Sequence, residues 1–136
     1  MKSLTPQEAV IYLMVMVSAS DRDMGDPELS RIGAIVRTLP AFRGFDQART
    51  LAVAQECQKW LQRENGFQEI LDATGKAIPE AAHETAYALA VDIAVADLQV
   101  EPEEVRMLQI LRERLTLDRG AVAAIHRAAK ARHRTF

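Results

Sequence analysis

Two stretches of this chain gather enough carboxylates to hold a cation. In "ASDRDMGDPEL", residues 19 to 29, Asp21, Asp23, Asp26 and Glu28 fall close together; in "VADLQVEPEEV", residues 95 to 105, Asp97 is followed by Glu101, Glu103 and Glu104. Carboxylate and carbonyl oxygens are what a hard cation such as Ca²⁺ or Mg²⁺ prefers. Asp21 and Asp97 each close an apolar run that reads as a helix. Each is therefore expected beside carbonyls of partial negative charge, where an acid is disfavoured unless something compensates it. The candidate ligands are Asp21, Asp23, Asp26 and Glu28 from the first stretch and Asp97, Glu101 and Glu104, with Glu103 beside them, from the second. A competing reading needs no ion: Asp tolerates tight turns, and acids in the first turn of the next helix are favoured by its dipole. Neither stretch is an EF-hand, because Gly25 falls at the fifth position counted from Asp21, and Ile32 stands where the closing bidentate Glu belongs. Cation affinity is expected to be weak and shared between the two stretches.

Other chemistry is sparse. His83, His126 and His133 with the lone Cys57 lack zinc-ligand spacing. Cys57 falls on a helical stripe and reads as core, with a reactive thiol as the alternative. Trp60 reads as packing before ligand platform. No nucleophile elbow, P-loop or dinucleotide fingerprint is present, so no enzyme activity is expected. Asp92 interrupts an oily helix face and reads either as a solvent-facing position or as a partly buried acid paired with an Arg.

A net charge of −2 argues against nucleic acid as the obligatory partner. The charges are unevenly placed. Residues 77 to 105 hold seven acids and no Lys or Arg, whereas 119 to 136 hold Arg119, Arg127, Lys130, Arg132 and Arg134 and no acid. That basic tail suits a helix C-terminus, and it also suits an anionic lipid surface or an acidic protein. The start "MKSLTPQEAV" lacks a secretory pattern, and a single Cys cannot make an internal disulfide, which points to the cytoplasm. The run "AVIYLMVMVSA" is shorter than the roughly 20 residues a membrane span needs.

The elements that would position these residues are helices. Thr5-Pro6-Gln7-Glu8 is a capping box with proline at the first helical position, predicting a helix to about Ser20. Asp26-Pro27-Glu28 opens a second, carrying Leu29, Ile32, Ile35, Val36 and Leu39 and stopped by Pro40. Asp46 is expected to cap a third with Leu51, Ala54, Cys57 and Leu61 on one face, ending near Asn65-Gly66. A short fourth is expected to close at Gly75. Pro79 opens a fifth, Glu101-Pro102-Glu103-Glu104 a sixth with Val105, Leu108, Leu111 and Leu115, and Asp118 caps a seventh. No segment alternates like a strand, so the class is all-α and residues 1 to 136 form one domain.

Residues 11 to 41 laid over 87 to 117 pair Leu13 with Leu89, Val15 with Val91, Asp21 with Asp97, Glu28 with Glu104 and Leu39 with Leu115. The shared order predicts two related hairpins in one bundle. In "SASDRDMGDPEL", "AVADLQVEPEEV" and the later "LTLD", the chain resembles the TerB-like family named for bacterial tellurite resistance, over about Ala9 to Arg132. Where Asp-Gly commonly follows the first helix of that family, this chain has Asp21-Arg22 and Asp97-Leu98. The resemblance implies a non-enzymatic bundle of about seven helices in a stress response, acidic residues proposed for divalent cations, and a partner in a membrane-associated complex. The alternative is a metal-independent adaptor docking a basic protein or an anionic membrane surface.

Overall fold

The computed structural model describes residues 2–18, 25–95 and 102–136. The described residues contain seven α-helices and no strand: α1 (Pro6–Ser18), α2 (Asp26–Thr38), α3 (Thr50–Leu61), α4 (Gly66–Ala77), α5 (His83–Val95), α6 (Pro102–Arg114) and α7 (Arg119–Arg132). The fold is all-α, as the periodicity predicts.

Local chemistry starts most of these helices where expected. The Thr5 backbone N–H donates to the Glu8 carboxylate at 2.9 Å and the Glu8 N–H donates to Thr5 Oγ1 at 3.1 Å, the reciprocal pair of a capping box. Asp118 accepts from the Ala121 N–H at 2.7 Å and opens α7. Asp46 caps as well, accepting from the Ala48 N–H, but what it opens is a short 3₁₀ turn, Gln47–Arg49, that leads into α3. A second such turn, Glu80–Ala82, stands between Pro79 and α5.

The α3–α4 corner departs from expectation. Gly66 is the first residue of α4 instead of a stop after α3, and the turn is made by Asn65 in the left-handed region at φ 64°. Gly75 lies inside α4, which runs on to Ala77. A glycine weakens a helix by only about 1 kcal/mol, so the helix continues until Pro79 stops it.

α1 and α5 form the centre. α1 is buried on every side from Glu8 to Val17, and α5 nearly so, as befits helices apolar all round. α3 and α4 cover α1, α6 and α7 cover α5, and α1 and α5 pack on each other. Both start from neighbouring points. Lys2–Leu4, just before α1, share a surface depression with Glu69–Ala77 of α4, while Ile78 accepts at 3.1 Å from the His83 ring that begins α5. The end of α6 reaches the same place, since Arg114 donates to Asp72 and Gln68. Both central helices therefore start close to the second half of α4.

The hairpin relationship extends to helix bounds: α2 and α6 each span 13 residues, and Asp26 and Thr38 occupy the positions that correspond to Pro102 and Arg114.

Candidate functional site

The described parts of the two acidic stretches open α2 and α6. Asp21, Asp23, Asp97 and Glu101 lie outside the described residues. Asp26 and Glu28 stand in the first turn of α2, Glu103 and Glu104 in the first turn of α6, each where a helix N-terminus favours negative charge. Asp26 and Glu103 are exposed, whereas Glu104 is 8% exposed and thus a buried carboxylate. Glu28 folds back over the start of its own helix: its Oε2 lies 2.8 Å from where a β-carbon on Gly25 would stand. Among the described residues no three His, Cys, Asp or Glu side chains are grouped to hold a metal. Asp26, Glu28 and Glu104 alone do not complete a coordination set, so a cation there requires the remaining candidates.

A second region lies where α5, α6 and α7 meet. A groove of about 490 Å³ has Val91 and Val95 of α5 and Val105, Leu108 and Arg112 of α6 on two sides, with His126 and Lys130 of α7 and His133 just past its end on the third. Val105, placed on the α6 core stripe by its spacing, is instead 47% exposed at this groove.

Beneath it runs a polar chain. The buried Tyr87 hydroxyl lies 2.6 Å from His126 Nε2 and receives Arg112 Nη1 at 2.9 Å. Arginine can only donate, so the phenol oxygen accepts there, and its own proton finds an acceptor in His126 Nε2 when the ring proton is on Nδ1. Desolvation, followed by the Arg112 charge, holds His126 below its ordinary pKa. Farther along α5, Asp92 accepts from Arg132, with His133 Nε2 3.6 Å from the same oxygen. Of the two readings of Asp92, the structure selects the partly buried, arginine-paired one, its side chain being 23% exposed.

The remaining candidates are committed to packing. Cys57 is fully buried, its thiol 3.7 Å from the Tyr12 carbonyl, and burial pushes its pKa far up, so thiolate chemistry is disfavoured. His83 accepts the Thr116 N–H on Nδ1 at 2.9 Å and donates from Nε2 to Ile78, joining the ends of α6 and α4. Trp60 is half-buried against the core with the Arg63 guanidinium 4.2 Å above its ring.

A family model described as tellurite resistance protein TerB matches residues 7–128, from the first turn of α1 well into α7. The chain belongs to the TerB family. Both acidic stretches and the groove lining up to His126 fall inside the matched span. No curated protein and no solved structure matches the chain significantly. Among the described residues no helix is long and apolar enough to cross a membrane.

The Tyr87–His126–Arg112 chain was not foreseen from the sequence. The only signal was two ionisable residues, Arg112 and His126, on the groove-facing sides of their helices, and nothing in spacing links either to Tyr87.

Proposed function

We propose that this TerB-family domain is a non-catalytic, cytoplasmic interaction module of a tellurite-type stress response. In this reading its acidic inter-helix stretches form one surface, modulated by a divalent cation. The observation that carries the reading is the matched placement of α2 and α6: at corresponding positions of the two hairpins, Asp26 and Glu28, and Glu103 and Glu104, stand in the first turn of a helix. A Ca²⁺ or Mg²⁺ ion drawing on Asp21, Asp23, Asp97 and Glu101 with these would join the two hairpins and fix the surface offered to a protein partner, one held in a membrane-associated complex. The absence of catalysis is supported by the side chains themselves, since His83, His126 and Cys57 are each tied to structural neighbours.

The test is a thermal melt with and without millimolar Ca²⁺ or Mg²⁺, on the wild type and on an Asp21→Asn/Asp97→Asn double variant. Binding to the folded form alone raises stability by RT ln(1 + [L]/Kd), and the double variant should lose that gain. A melt indifferent to either metal removes the cation from the proposal. It leaves the adaptor reading, which is favoured by the exposed Arg119, Arg127, Lys130, Arg132 and Arg134 of the last helix and tail.

A further inference from the structure

We infer that the groove between α5, α6 and α7 is a binding site for a single-chain anionic amphiphile of the fatty-acid type. The reading is independent of any cation at the acidic stretches. Its walls differ in kind. His126 and Lys130 at i, i+4 lie on one stripe of α7 with His133 at its C-cap, while Val91 and Val95 at i, i+4 and Val105 and Leu108 at i, i+3 supply apolar walls from the other two helices. An occupant complementary to both must have an aliphatic body and an anionic head.

Size and charge narrow the class. About 490 Å³ lies within the range of small-molecule sites, which are mostly apolar with a few converging polar groups. Lys130 has no ion pair among the described residues, so its charge is available. Arg112 is held at the groove by its bond to Tyr87, and His126, its Nε2 engaged by the phenol, has Nδ1 left for an occupant. Asp92, next to Val91 in sequence, is offset by Arg132. Val105, one of few large apolar side chains exposed among the described residues, stands at the groove, where an alkyl chain would cover it.

The experiment is an NMR titration of the full-length protein with sodium decanoate, shorter carboxylates and decanol, following the methyl groups of Val91, Val95 and Val105. Saturable one-to-one shifts are expected, with decanoate at least tenfold tighter than decanol. Each added methylene should tighten binding about fourfold while the chain remains within the groove. Lys130→Glu should weaken decanoate at least tenfold and leave decanol unchanged, and Val105→Gln should weaken both; each position is exposed, and an unchanged melting temperature checks the fold. Equal affinity for alcohol and carboxylate, indifference to Lys130→Glu, or no saturation at millimolar decanoate overturns the site. Salt-sensitive retention on phosphatidylglycerol vesicles with the groove methyls unmoved by decanoate also overturns it, and assigns the basic tail to a membrane surface.

Discussion

Tyr87 and His126, 39 residues apart in sequence, share a 2.6 Å hydrogen bond, and the same phenol oxygen accepts from Arg112. With Arg112 already donating to the phenol, a protonated His126 would oppose a second donor to it and leave the Tyr87 proton without its acceptor. This adds to the desolvation and the Arg112 charge that keep His126 below 6.5. A histidine with a lowered folded pKa takes up its proton more readily when unfolded. Its contribution to stability is therefore complete above about pH 6.5 and is lost as pH falls through the lower folded value. Denaturant midpoints should drop as pH falls below about 6.5, and His126→Gln, whose amide oxygen can still accept from Tyr87, should drop less. NMR titration of the His126 ring reads the same quantity directly, and a midpoint at or above 6.5 would contradict the geometry.

Glu8 gives a second pH signature, in a more acidic window. Burial pushes its carboxyl up, but the Thr5 backbone N–H, Arg49 and Lys2 more than offset this, and the net pKa lies below 4.5. The contribution is present above about pH 4.5 and is lost as pH falls through the folded value. Glu8→Ala removes the cap at 2.9 Å and the Arg49 contact at 2.7 Å and should cost about 1–2 kcal/mol at neutral pH. In Glu8→Gln the deficit relative to wild type should shrink below pH 4.5. A deficit independent of pH would show that the charge contributes nothing.

How far the sequence carried the fold depends on how local each cause is. Thr5, Glu8, Asp118, Pro27 and Pro102 act within one turn, and the helices they open begin where their chemistry requires. Leu51 and Val105 lie on helical stripes, yet are 48% and 47% exposed, because period alone does not say which flank of a stripe meets a neighbour. Val53, one step off the assumed α3 stripe, is in the core instead. The partner of Asp92, Arg132, comes from two helices away, a distance no spacing rule spans. The candidate cation site was legible only as composition: Asp26, Glu28 and Glu104 are placed at helix starts, while Asp21, Asp23, Asp97 and Glu101 lie outside the described residues.

The α3–α4 corner should be intolerant of any side chain at Gly66. A β-carbon there would stand 1.7 Å from the Trp60 carbonyl oxygen and 2.8 Å from its carbon, both backbone atoms that cannot rotate away. Gly66→Ala must displace the end of α3 or the start of α4 and should cost at least about 2 kcal/mol. Gly75, with nothing within 4 Å of its β-carbon position, is the control: Gly75→Ala should be neutral or stabilising by up to about 1 kcal/mol. Equal melting temperatures for the two variants would mean that the corner can relax.

Tyr12 presents the opposite case, a polar atom whose removal should do no harm. Its side chain is 1% exposed at the centre of α1, and its hydroxyl has no hydrogen-bond partner among the described residues. Burial, with the nearby Glu56, Cys57 and Glu8, drives its pKa well above the ordinary tyrosine value, so the group is a neutral phenol. A buried hydroxyl that makes no bond has lost its hydration without compensation, a cost of about 1–3 kcal/mol in folded proteins. Tyr12→Phe retains the ring and its packing and deletes only that oxygen. The variant should be as stable as wild type or more stable by up to about 1 kcal/mol, measured as a denaturant midpoint at unchanged slope. A loss beyond about 1 kcal/mol would instead mean that a buried water bonds to the hydroxyl, which a difference in solvent-exchange protection of the neighbouring Cys57 and Glu56 amides would then report.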